Sequence, residues 1–279
     1  MIGKAAALTA LVAAALGIAA PLPAGAATAL PAANTEAVLK AAQIDPRRAD
    51  STQKPGAHDS VLPVEQALRD KGLLDAQWVD GYFGTTTIAA YSQYQKSLGC
   101  TGIDTSGLPG RTSPAKLGTG HHTVTAVLTP GSHVTYHGVT LNTRTKAMPV
   151  AAEGLLGRQL SLTQGSYNPG GVDASAGTHD GGGAFEISVA GMSAETHTSV
   201  AKALHQVGFA AWIRTSEQAE WDYHIHAIAI SGPDLPSGAQ HQAGDYYLGL
   251  NGLNGLAGRG PDDGPAVNPK VTWEEYQRG

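Results

Sequence analysis

Residues 221–230 read WDYHIHAIAI, and residues 175–188 read SAGTHDGGGAFEIS. In the first stretch the alternation of apolar residues predicts a strand, and a period of two puts His224, His226, Ile228 and Ile230 on one face. Two imidazoles on one face of a buried strand are costly unless hydrogen bonds or a metal satisfy them. In the second stretch His179 precedes Glu186, with Gly182 and Ala184 between them. With 11 histidines in the chain, such a pair arises easily by chance. The context raises the odds, because a turn at Gly181 to Gly183 lets the backbone swing until a loop imidazole and a strand carboxylate converge. Two histidines and one carboxylate around a zinc ion leave a fourth position open to water, the catalytic arrangement.

Working outward, residues 159–164 and 184–189 read as two further strands beside 223–230. Asn142 caps a helix expected to run to Leu156, bent at Pro149, and Ser193 caps another whose Val200, Leu204 and Val207 share a face ended by Gly208. Val124 to Val139 alternates loosely, as a hairpin would. The tail beyond Gly232 is rich in glycine and reads as loops, with His241 and Asp245 as loop decoration. Residues 121–279 are therefore expected to form an α+β domain, a small antiparallel sheet covered by helices.

The N-terminal half reads differently. Residues 1–29 carry Lys4, an Ala-dominated apolar run and A-x-A sites, the pattern of a signal peptide, with an uncleaved anchor the less favoured reading. Residues 30–58, rich in Ala, Pro and polar residues, read as a mobile linker. Residues 59–118 hold three short helices: one around Val64 and Leu68 ended by Gly72, one from about Thr86 ended by Gly99, and one after Thr112. The single cysteine, Cys100, excludes an intrachain disulfide and a cysteine-rich zinc site. A net charge of -5 gives no basic field for phosphates, so nucleic acid is not an expected partner.

Two resemblances add to this reading. VDGYFGTTTIAAYSQYQKSLG at 79–99, followed by GLPGRTSPAKL at 107–117, resembles the three-helix peptidoglycan-binding family of bacterial wall hydrolases. The His179 to Glu186 stretch, followed about forty residues later by H-x-H, resembles the zinc D-Ala-D-Ala carboxypeptidases and their relatives among D,D-dipeptidases and phage endolysins. That second likeness implies His179, Glu186 and His226 as ligands of one zinc ion, and His224 as the partner of the reacting oxygens. Asp222 and His224 are both candidates for the catalytic base, because Tyr223 stands where several relatives carry a carboxylate.

This chain departs from the pattern elsewhere too. Gly177 replaces the leading serine, with Ser175 nearby, and Glu186 replaces the usual aspartate. Tyr167-Asn168 stands where relatives have Tyr-Arg, so the usual partner of a substrate carboxylate is missing, and Arg144, Arg158 and Arg214 read by default as surface charges. The expectation is a secreted, cell-wall-associated monomer, free of the membrane after signal cleavage. It would be a zinc peptidase hydrolysing D-Ala-containing bonds of peptidoglycan. The rival expectation is a non-catalytic peptidoglycan-binding protein on a degenerate peptidase fold; an amidase acting at the sugar-peptide link is a third.

Overall fold

Asn34 opens the first helix among the described residues: its side chain accepts from the amides of Glu36 and Ala37. A computed structural model describes residues 29–48, 56–253, 260–262 and 264–279; all but the last residue of the expected leader lies outside the described residues. Strand β1 (Ala32–Asn34) leads into α1 (Thr35–Ile44) and a 3-10 turn at Asp45–Arg47. Most of the segment expected as a linker is thus folded, and Val38, Leu39, Ala41, Ala42 and Ile44 are buried. The helix escapes sequence reading because it continues the Ala-rich composition of the leader, and its apolar stripe lasts under three turns.

Helices α2 (His58–Asp70), α3 (Thr85–Ser97) and α4 (Ser113–Gly118) follow where three helices are expected. The turn between α2 and α3 is pinned from below. Glu65 accepts from the amides of Asp80 and Gly81 and from the Thr87 hydroxyl, while Asp45 accepts from the amide of fully buried Phe83. After α4, β2 (Thr123–Thr125) pairs in parallel with β1, and β3 (His133–Tyr136) forms a hairpin with β4 (Val139–Asn142).

The larger α+β part begins with α5 (Thr143–Leu156), capped by Asn142 through the Thr145 amide. Then come β5 (Leu162–Gln164), β6 (Ala184–Ser188), α6 (Ala194–Gln206), β7 (Phe209–Arg214), β8 (His224–Ala229), α7 (Ser237–Tyr247) and α8 (Trp273–Arg278). The sheet order is β5-β6-β8-β7, antiparallel throughout. Both faces of this sheet are covered. Phe185, Ile187, Phe209, Ile225 and Ala227 pack under α5 and α6, whereas Ala184, Ala210, Trp212 and Ile228 join a core with α1, α2 and α7.

That double coverage explains two differences from the sequence reading. FAAWIR of β7 has no alternation to reveal it, because residues on both of its faces are buried. The supposed loop around His241 and Asp245 is α7, whose glycines disguised it. A Cβ at Gly244 would lie 2.2 Å from the Gln43 carbonyl oxygen, so glycine is what lets α7 close on α1. The expected boundary near residue 120 does not divide the core, since one apolar cluster runs from Val61, Phe83 and Leu117 through α1 to Trp212 and Ile228.

Candidate metal centre

The antiparallel register sets two rows across the sheet face that meets α7. Glu186, His226 and Trp212 are cross-strand neighbours in one row, and Ser188, His224 and Arg214 in the next. The expected shared face of His224 and His226 is what the strand provides, and β6 brings Glu186 alongside them. His179 arrives from the glycine-rich loop before β6. That loop is held by backbone bonds from Asn168 to the His179 carbonyl and from Tyr167 to the Gly181 carbonyl, and by the Gly182 amide on the Asp234 carbonyl.

Four side-chain atoms converge. Glu186 Oε1 lies 3.6 Å from His179 Nε2, 3.5 Å from His224 Nε2 and 4.0 Å from His226 Nδ1. The ligand atoms of His179, Glu186 and His226 all lie within 4.8 Å of one another. These separations exceed a hydrogen bond. Ligand atoms 2.0 to 2.2 Å from one tetrahedral ion stand roughly 3.3 to 3.6 Å apart; the contacts of Glu186 with His179 and His224 lie in that range, whereas His226, at 4.0 Å, would have to move slightly inward.

The outward ring nitrogens decide what the inward ones present. His179 Nδ1 faces the Gly165 carbonyl at 2.8 Å, His224 Nδ1 faces the Asp222 carbonyl at 2.6 Å, and His226 Nε2 faces Gln242 Oε1 at 2.9 Å. A carbonyl oxygen only accepts, so each of these nitrogens carries the proton and donates it. Three imidazole lone pairs then point inward towards a carboxylate oxygen. His179 Nε2 is buried with no hydrogen-bond partner. A buried acceptor left without a partner is costly, and the donor set around it suits a cation.

The electrostatics keep His179 and His226 neutral. Burial lowers the His179 pKa below the ordinary value, against the raising effects of the Gly165 carbonyl and Glu186. His226 is pushed well below it, by burial first and then by His179, Arg214 and His224. Neutral imidazole is the form that ligates a metal.

A cleft of about 380 Å³ opens on the cluster, with Glu186, His224, His226, Arg214, Gln242 and Asp222 among its walls. Asp222 precedes β8, is exposed, and meets His224 through its backbone carbonyl. Of the arginines read as surface charges, Arg158 is exposed. Arg144 is buried in a pair with Glu274, and Arg214, 3% exposed, donates to the Asn251 carbonyl in the cleft wall. Tyr167 and Asn168 serve the His179 loop, and the Tyr167 hydroxyl bonds to buried Asp234.

Sequence reading missed Trp212, Gln242 and the Gly165 carbonyl. Trp212 stacks at 18° to the His226 ring, with centroids 6.4 Å apart. Only a recognised helix at 237–247 would have drawn attention to Gln242. Comparison with protein-family models, with curated proteins and with solved structures finds no match to the chain.

Proposed function

We propose that the chain is a zinc-dependent peptidase, exported to the cell wall, that hydrolyses D-Ala-containing peptide bonds of peptidoglycan as a monomer. The observation that carries this reading is the convergence of three imidazoles and one carboxylate beside an open cleft. A purely structural histidine cluster would leave those lone pairs unmatched; a catalytic site needs them so. The phrases at 79–99 and 107–117 support wall binding by resemblance alone.

His179 Nε2, Glu186 Oε1 and His226 Nδ1 would hold the ion, which when bound supplies a Lewis acid that polarises the scissile carbonyl and acidifies water. His224 takes the proton. Its Nδ1–H is fixed on the Asp222 carbonyl, leaving Nε2 free to accept a proton from attacking water and return it to the leaving amine. The Asp222 side chain, at the exposed rim, is the second candidate for this role. Arg214 offers a cation in the wall beside His224, suited to pair with a substrate carboxylate.

Metal analysis combined with mass spectrometry of digested wall fragments tests the reading. The expected result is one zinc ion per chain together with new peptide ends. Zinc without products would leave a binding protein, and release of whole stem peptides would move the cleavage to the sugar-peptide link. His179→Ala is expected to lose zinc; retention at the parent affinity overturns the ligand set.

A further inference from the structure

Each of the three imidazoles around Glu186 has its outer nitrogen on a carbonyl oxygen, but the three carbonyls are not alike. Those facing His179 and His224 belong to the backbone, at Gly165 and Asp222. The one facing His226 is the side chain of Gln242, delivered from α7, an element outside the sheet. Resting on the metal reading above, we propose that Gln242 is a positioning residue: it fixes His226 as the Nε2–H tautomer and so turns the Nδ1 lone pair towards Glu186 and His179.

The geometry leaves this tautomer favoured. Were the Gln242 amide reversed to donate to Nε2, the His226 proton would sit on Nδ1, 4.0 Å from Glu186 Oε1 and too far to bond to it. A proton there would also occupy the lone pair a metal needs. Packing restricts the ring further, since Trp212 stacks on one side and the His179 ring lies 5.2 Å away, centroid to centroid. Gln242 itself is held in place because α7 is anchored on both sides of it. The Gln240 side chain donates to the Leu235 carbonyl, and Asp245 accepts two bonds from Arg47 at 3.1 and 2.7 Å. The aim of His226 thus depends on a helix that the N-terminal segment buttresses.

The test uses the full chain with two near-isosteric replacements. Gln242→Met removes the acceptor and keeps the volume; Gln242→Glu keeps the acceptor. Zinc affinity is measured by competition with a chromophoric chelator, and the His226 tautomer by imidazole 15N NMR on metal-free protein. Gln242→Met is expected to weaken zinc binding by about 10- to 100-fold, with Gln242→Glu within about threefold of the parent. The metal-free Met variant is also expected to lose the Nε2–H form of His226 that the parent holds. Parent-like zinc affinity in Gln242→Met, or an unchanged tautomer, overturns the proposal. A merely structural contact would weaken both variants alike, with the tautomer unmoved, which also overturns it. If the parent takes up no zinc, the peptidase reading falls, while the NMR measurement still decides the role of Gln242.

Discussion

At Gly183 the backbone has a φ of +87°, and a Cβ there would lie 2.4 Å from Leu235 Cδ2. Gly183→Ala therefore adds backbone strain to a clash at the root of the loop that carries His179. The variant is expected to lose about 1 to 3 kcal/mol in urea unfolding and to bind zinc more weakly. Glu65 presents a separate chemistry far from the cleft. Burial, outweighing the bonds from Gly81 and Thr87, pushes its carboxyl up to about 7 from 4.5. Between those values the folded chain holds a proton that the unfolded chain has released, so this contribution is full below about pH 4.5 and lost as the pH rises through about 7. Melting curves at pH 4.5 to 7.5 should show Glu65→Gln with a flatter profile than the parent; an identical slope would count against the buried proton.

Helix α1 and the 3-10 turn that follows it are held to α7, the helix by close backbone approach at Gln43 and the turn by the charge of Arg47. Asp245 is fully buried and Arg47 reaches it with two nitrogens, so Arg47→Ala leaves a buried carboxylate without this cation. A cost of roughly 3 kcal/mol is expected in denaturant unfolding. The cap at the other end is worth less: Asn34→Ala should cost about 1 kcal/mol. An Arg47→Ala value within experimental error of zero would show that α7 is placed by apolar packing alone. The short α8 is tied by three ion pairs to two distant helices, to α5 through Arg144 with Glu274 and to α1 through Lys40 with Glu275 and Glu36 with Arg278. Of these, only the Arg144 pair is well buried, and the exposed Glu36–Arg278 pair contributes little.

For the molecule as a whole, the consequence of a core shared between the helices of residues 58–118 and the sheet is cooperativity. Helix α1 packs against both α2 and α7 and shares one apolar core with Trp212 and Ile228 of the sheet, so the two bodies cannot unfold one at a time without exposing that seam. Calorimetry is expected to give one transition whose calorimetric and van't Hoff enthalpies agree; two resolved transitions would mean that the seam is weak. Among the described residues no helix is long and apolar enough to cross a membrane.

Local pattern determined much of this protein. The alternation at 223–230, the glycine turn before Glu186, the Asn142 and Ser193 caps and the three helices near 59–118 are all short-range signals, written in neighbouring residues. Tertiary structure alone decided the rest. A strand covered on both faces loses its period, which hid β7; a helix that must approach another closely carries glycine, which hid α7; and an Ala-rich helix looks like linker until its partners are known. The candidate metal centre divides along the same line. Its inward-facing atoms could be named from spacing and resemblance, whereas the carbonyls that set each imidazole's tautomer come from Gly165, Asp222 and Gln242, and only folding brings Gly165 and Gln242 to the histidines they face.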